Sequence, residues 1–427
     1  MMMKKSVSTI LAVTFSVLPA TVAAQAVEDD ETIVTVIVGD DNAAVDVQDE
    51  FVKNAPKRKS DNGLPRFAIV GKDNKFYLGI GAQFLGEGLV DFGGEMPSPY
   101  NFVPSAITPA TPGNGSSLRF TALTSSFYIN AVALPGTKDK VGLFFKAQIN
   151  DGNDYGFNVS HFYVTYRGFQ IGYTSSLFAD GAAMPFTIDA QGPNGSANMS
   201  VFTAGYIHEF SSSITGAIGI DAPTADITAG DGTSTVNQRI PAVPLYLQYG
   251  WDGGASHIRL SGLVRPMQYR DVVAGKNRTP VGWGVQLSGL AKVLPALTLY
   301  YDATYGHGVA DYLQDNTGMG LDALPDADRD GRCRLMKSMG LTAGMSIGLT
   351  DRLVFNGAYS HVTNWAPSGA VTDDSRYRYG DYVAANLIYT VNKIVGVGVE
   401  YDYGHRKSFG GEGLHVNRVQ AQLSVTF

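Results

Sequence analysis

A single cysteine, Cys333, stands in 427 residues. It rules out an internal disulfide, and a structural zinc site would need several Cys or His ligands close together. Charge is scarce as well: Asp, Glu, Lys and Arg make up 17% of the chain, with 32 basic against 39 acidic residues. That acidic balance lacks the electrostatic footprint of non-specific nucleic-acid binding, so no nucleic-acid partner is expected. Beyond residue 26 no apolar run reaches the roughly 18 residues that a spanning helix needs. Enzyme signatures are missing too. There is no His-Glu-x-x-His, no Gly-x-Ser-x-Gly and no P-loop, and Gly79-Ile80-Gly81 has Phe84 where a third glycine would stand. The seven histidines are scattered, and Ser160 and His161, adjacent on a strand, point to opposite faces. No catalytic residue and no enzymatic activity are expected.

What the chain has in quantity is 50 Gly, 22 Tyr and 21 Phe. Residues 1–26 carry Lys4 and Lys5, an apolar stretch from Ile10 to Val22, and the small-residue site Ala24-Gln25-Ala26. This is the pattern of a secretory signal, with Val27 the expected mature start. No Cys follows the cleavage site, which disfavours a lipid anchor. From Phe76 onward, apolar residues alternate with small or polar ones in short stretches separated by Gly, Asp, Asn, Ser or Pro, the periodicity of strands. At the C-terminus Val419, Ala421, Leu423, Val425 and Phe427 share one face, while Arg418, Gln420, Gln422, Ser424 and Thr426 share the other. One face suits lipid and the other water.

A soluble β-sandwich also alternates. Against it stand aromatics near strand ends, links that alternate short and long, and a terminal Phe inside the last strand. The pattern predicts an all-β, 16-stranded antiparallel transmembrane β-barrel in the outer membrane of a Gram-negative cell, with short periplasmic turns and long external loops. The expected organisation is a signal peptide at 1–26, a periplasmic N-terminal segment at 27–70, partly disordered or trimer-associated, and the barrel at 71–427. Thr124 to Ser126, inside the second strand, reads as a bulge or a turn. Trp283, Tyr301, Tyr305, Tyr401 and Tyr403 are expected outward, at the membrane interface.

A barrel of this size is too wide for its own side chains to fill, so passage of small solutes is the default expectation. The link 175–198 between the fifth and sixth strands is long and carries Asp180, Asp189 and Pro193, the expected constriction loop. Strand parity turns Arg259, Arg265, Lys146 and Arg418 toward the lumen, and Arg119 is a fifth candidate. Such cations would attract carboxylates, Arg through its planar fork. The competing expectation pairs them with internal acids, such as Glu400 or Asp402 opposite Arg418.

The run Phe169-Gln170-Ile171-Gly172-Tyr173-Thr174-Ser175-Ser176-Leu177-Phe178, followed by Asp180, Pro185, Thr187, Asp189 and Gly192-Pro193-Asn194-Gly195, resembles the signature of the DcaP-like trimeric porins. Two features depart from that pattern: Ser175 stands where an aromatic is usual, and residues 27–65 show no heptads for the family's periplasmic coiled coil. The resemblance implies a homotrimer admitting small anionic solutes, notably dicarboxylates. A non-selective general porin and a structural or adhesive surface barrel remain as alternatives. An inward loop at 175–198 would favour selective transport, and a lumen plugged by residues 27–65 the structural role.

No cofactor is required. Asp326, Asp328 and Asp330, followed by Gly331, match the first half of a Ca²⁺ loop, but Lys337 stands where a bidentate Glu is needed. At most a weak external Ca²⁺ site is expected there.

Overall fold

The computed structural model describes residues 34–38, 42–58, 64–65, 67–71 and 74–427. The expected export signal lies outside the described residues. Sixteen antiparallel strands close on themselves, numbered here in chain order: β1 Phe76–Phe92, β2 Ser116–Thr121 with Ser126–Ala133, β3 Val141–Gln148, β4 Asn158–Tyr166, β5 Phe169–Ser175, β6 Ser200–Glu209, β7 Ile214–Asp221 and β8 Val243–Trp251. The remainder are β9 Ser256–Pro266, β10 Val281–Leu294, β11 Leu297–His307, β12 Lys337–Gly348, β13 Leu353–Trp365, β14 Tyr377–Thr390, β15 Val395–Ser408 and β16 Gly413–Thr426. Each strand pairs with the next, and β16 pairs with β1 from Asn417↔Phe92 to Thr426↔Gln83, so the sheet has no open seam. The terminal Phe427 completes the closure by exchanging backbone hydrogen bonds with Ala82.

The interruption in β2 is a turn at 122–125. Both halves of β2 pair with β1, and the Ser125 hydroxyl accepts the Leu85 N–H that the break leaves without a ladder partner. The count therefore stays at sixteen. No described helix is long and apolar enough to cross a membrane, and the spanning elements are the strands.

Alternation sets the two faces. Outward positions such as Phe84, Leu260, Val285, Leu287, Val419 and Leu423 are exposed, as lipid-facing side chains of an isolated chain must be, while their neighbours Ser261, Gln286, Ser288, Arg418 and Gln420 are buried within the barrel. Near the external strand ends Trp283 stacks on His307 at 5.3 Å and meets Tyr305 edge-on, and Tyr305 reaches Trp365, an aromatic belt at the interface. Periplasmic links are tight. Between β4 and β5, Arg167 and Gly168 both adopt positive φ (47° and 86°), the mirror-image turn that matches the strand twist.

The external mouth is a core of its own. Loop 93–115 turns inward and buries Met96, Phe102 and Ile107 against Tyr382, Ala384 and Val416. Loop 308–336 buries Leu313, Leu321, Leu324 and Met336 against Val362 and Tyr377. The two loops meet at Asp315, whose carboxylate accepts from the backbone and hydroxyl of Ser105 and from the Tyr377 hydroxyl. Burial pushes this carboxyl up to about 6, against roughly 3.9 in an unfolded chain. The protonated acid therefore stabilises the closed mouth fully below about pH 4, and that contribution is lost as pH rises through about 6. Cleavage of loops 93–115 and 308–336 by a broad-specificity protease, corrected for its own pH profile, is expected to be faster at pH 8 than at pH 5. Asp315→Asn is expected to remove most of that difference.

The described part of the N-terminal segment is ordered. Strand Val34–Val38 pairs with Phe67–Gly71, which in turn pairs with the periplasmic end of β1. Helix α1, Asn42–Asn54, carries Val47 and Phe51 four residues apart on one face, and they pack against Ala68, Val70, Tyr77 and Val132. Burial of this kind is worth about 2 kcal/mol per large apolar side chain.

Candidate functional site

Loop 176–199 leaves β5, crosses the lumen and returns to β6. Its root is tied down by Asp180, whose carboxylate receives the His257 ring at 2.7 Å and the Ser288 hydroxyl at 2.8 Å. Its middle hangs from Glu400 on β15, which accepts the backbone N–H groups of Ile188 (2.8 Å) and Asp189 (2.6 Å). Its far end reaches the opposite wall. After a turn over Pro193, Asn194 donates to the Gly380 carbonyl and the Gly195 N–H donates to the Ser360 hydroxyl. Gly195 also lies against the backbone of Gly340, where a Cβ on either residue would collide with the other strand or loop. The loop folds inward because its acids serve as anchors.

Four of the five expected pore cations stand beside internal acids. Arg265 is 1% exposed and clamped between Asp311 (3.1 Å) and Asp322 (2.6 Å), so it binds loop 308–336 and faces no open channel. Arg418 is fully buried and forks onto Asp91 at 2.7 and 3.1 Å; its register partner Asp402 does not receive that pair. Arg259 lies over the Tyr246 ring at 4.0 Å, donates to Gln248 and to the Ala179 carbonyl, and stands 3.8 Å from Asp180. It braces the root of the loop. Arg119, half-buried at the external mouth, donates to the Ser98 carbonyl and stands 3.7 Å from Asp91. Parity names a face and leaves open which loop acid folds onto it.

Lys146, itself 3% exposed, borders the lumenal space. Beside loop 176–199, on the side of β1 to β6, a cavity of about 310 Å³ remains in the lumen. Lys146 and Gln148 of β3, Asn158, Ser160 and His161 of β4, Gln83 of β1 and Gln422 of β16 form one wall, and residues 184–191 of the loop form the other. Tyr100, Asn101 and Gln314 close it from the external side. Two cationic side chains line it, Lys146 and Arg58, and one acid, Asp189. The Asp189 oxygens are already engaged: Oδ1 accepts the N–H groups of Phe102 and Gln191, and Oδ2 accepts the Gly192 N–H and the Tyr382 hydroxyl.

The expected Ca²⁺ half-loop forms no converging carboxylates. Arg334 pairs with both Asp326 (2.9 Å) and Asp328 (3.1 Å), and Asp330 is exposed. That guanidinium holds the Asp326 carboxyl below its ordinary range. Among the described residues no group of three potential metal ligands converges.

A family model described as the porin subfamily matches residues 130–424. The chain belongs to this family. It is a multi-pass β-barrel channel of the outer membrane and not an enzyme. In fold it is similar to the outer membrane channel DcaP of Acinetobacter baumannii, at 22% identity over 84% of this chain and 99% of that one, with a TM-score of 0.72. An anion-selective porin from Comamonas acidovorans superposes with a TM-score of 0.52 at 10% identity, covering 83% of this chain and 99% of that one. The trimer form of OmpT from Vibrio cholerae gives 0.50 at 9% identity, covering 83% and 100%. No curated protein sequence matches the chain. The resemblance read from residues 169–195 to the DcaP-like porins thus holds at the level of fold.

Two basic lining residues, His161 and Arg58, were not in the sequence-based set. His161 lines the cavity with its Nδ1 2.9 Å from the Thr174 hydroxyl, and Ser160 donates to the Lys146 carbonyl, so the adjacent pair does no joint chemistry. Arg58 arrives from the N-terminal segment, and only the basic cluster Lys53, Lys57, Arg58 and Lys59 hinted at it.

Proposed function

We propose that this porin passes small anionic solutes, carboxylates and dicarboxylates among them, by diffusion along the lumenal cavity beside loop 176–199. One observation carries the reading. Asp189, the single acid among the described lining residues, spends both carboxylate oxygens on backbone N–H groups and Tyr382, while Lys146 and Arg58 border the same space. A water-filled gap in a low-dielectric wall with basic residues and no presented carboxylate favours anions. The neutral amides of Gln83, Gln148, Asn158 and Gln422 offer donors that suit carboxylate oxygens.

The assembly this reading includes is a homotrimer. An outward cluster on β2 to β4, with Phe127, Phe145 and Phe157 in mutual ring contact and Phe120 79% exposed, supplies an apolar face for subunit packing.

The test is planar-bilayer conductance of the purified protein in a KCl gradient, repeated with succinate present. Anion-selective reversal potentials, block by succinate and current steps in threes are the expected results. Lys146→Ala is expected to lower the chloride-to-potassium permeability ratio several-fold while leaving the folded barrel intact. A cation-selective wild type whose selectivity Lys146→Ala leaves unchanged would overturn the reading.

A further inference from the structure

The N-terminal segment, expected as a mobile or trimer-associated periplasmic piece, enters the lumen in its described part. The C-terminal end of α1 is received by inward side chains of β2, β3 and β4. The Asn54 amide donates to the Asn130 carboxamide at 2.7 Å and to the Leu143 carbonyl at 3.1 Å, and its oxygen accepts the Thr165 hydroxyl. The Asn54 and Phe51 carbonyls accept from the Tyr163 hydroxyl (2.6 Å) and the Asn130 amide (3.0 Å). Gly142 is shaped to this contact, since a Cβ there would run into the Asn54 carboxamide. Ala55 packs among Tyr128, Phe144 and Tyr163, all lumenal. Such a set of buried, mutually satisfied polar contacts specifies one docked position.

From there the chain continues to the constriction loop. The Arg58 backbone lies beside Gly181, where a Cβ would stand 3.3 Å from the Arg58 nitrogen. Its guanidinium donates to the carbonyls of Ala190 (3.3 Å) and Gln191 (3.2 Å) at the edge of the cavity. Among the described residues Arg58 pairs with no carboxylate. Lys57, by contrast, turns back onto the carbonyls at the end of α1.

We propose that residues 42–58 are a resident lumenal element that narrows the pore from its periplasmic side, and that Arg58, delivered by this element onto the constriction loop, is a selectivity-determining residue of the channel. The helix sets how much cross-section remains. The guanidinium, whose acceptors are neutral carbonyls, sets the sign of the field beside the constriction loop. A plugged lumen and an inward loop are then parts of one constriction.

This inference rests on the reading that the cavity is the solute path, and the experiment separates the two. Single-channel conductance and reversal potential are measured on the full-length protein, on Arg58→Ala and Arg58→Glu, and on Phe51→Ala/Asn54→Ala, which removes the apolar and polar halves of the docking. Retained heat-modifiable migration on gels checks that each barrel is closed. Arg58→Glu is expected to lower the chloride-to-potassium permeability ratio several-fold, and Arg58→Ala by less. The docking variant is expected to raise conductance, and adding Arg58→Glu to it is expected to shift selectivity far less than in the docked protein. Unchanged reversal potential in Arg58→Glu, with Lys146→Ala still shifting it, overturns the role of Arg58. Unchanged conductance in the docking variant overturns the lumenal element. A wild type without anion preference overturns the proposed function and leaves the conductance comparison to decide the element alone.

Discussion

Arg265→Ala is expected to loosen the external loops while leaving ion selectivity unchanged. The guanidinium is buried and both of its terminal nitrogens are engaged: Nη1 meets Asp322 at 2.6 Å and the Gly308 carbonyl, Nη2 meets Asp311 at 3.1 Å and the Thr224 hydroxyl, and Cζ lies 5.1 Å from the centre of the Tyr312 ring. Asp322 in turn accepts the N–H groups of Asp226 and Asp311, so one cation joins loops 222–242 and 308–336 to β9. Removing one partner of such a buried pair strands the other charges and costs about 3–5 kcal/mol. Burial already pushes the Asp322 carboxyl up. Without Arg265 the acid escapes part of the penalty by taking a proton, so the loss is smaller at pH 5 than at pH 8. Protease cleavage within 222–242 and 308–336, and the denaturant midpoint of loop unfolding, measure the effect. Arg265→Lys is expected to recover part of it, because an ammonium keeps the charge but cannot fork between two carboxylates. A variant with intact loops and diminished anion preference would return Arg265 to the pore.

That residue shows how far the sequence carries. Period-two alternation fixed the barrel, the inward face of Arg259, Arg265 and Arg418, and the length of loop 176–199, because each depends on neighbours within one strand or link. What each cation meets depends on contacts made across the closed sheet. Arg418 finds Asp91 on β1, 327 positions away, because closure sets β1 beside β16. Register sets it opposite Asp402 on β15 and Asp91 on β1 alike, and the fork goes to Asp91. Likewise Asp180 and Asp189 mark the constriction loop in the sequence, and their work as its anchors appears only in the fold, since an inward loop must satisfy its buried N–H groups and hold its own place. Loop 326–334 repeats the lesson at short range: alternate aspartates suit a cation, and the cation they receive is Arg334. The course of α1 was least legible. Val47 and Phe51 mark an apolar face only two turns long, and its receptor is scattered over β1, β2 and the strand Phe67–Gly71. Polar residues Asn54, Asn130 and Thr165 complete the dock, and none of them is conspicuous in a sequence rich in small polar side chains.

Glu400 tests the constriction from the opposite wall. Its two oxygens hold the middle of loop 176–199 through the N–H groups of Ile188 and Asp189, and the carboxylate is itself held by Asn386 at 2.7 Å and Gln420 at 2.8 Å. In Glu400→Ala, the buried N–H groups of Ile188 and Asp189 lose their acceptor, while the amides of Asn386 and Gln420 keep the Phe186 carbonyl and Asp402. At about 1–3 kcal/mol for each polar group left unsatisfied, the docked loop becomes less favourable than one with those groups in water. The root at Asp180 and the far end at Asn194 and Gly195 stay tied, so the loop is expected to bow away from β15 between them. Asp189 moves with it and gives up its bonds to Phe102 and Tyr382, which exposes its carboxylate to the cavity. Two readouts follow from the same displacement: higher and noisier single-channel conductance, and a drop in anion preference although no cation has been removed. Glu400→Gln retains one acceptor oxygen and is expected to fall between wild type and Glu400→Ala in both. Conductance and selectivity of Glu400→Ala equal to wild type would mean that the loop is held by its two ends, and that its middle contributes nothing to the width of the pore.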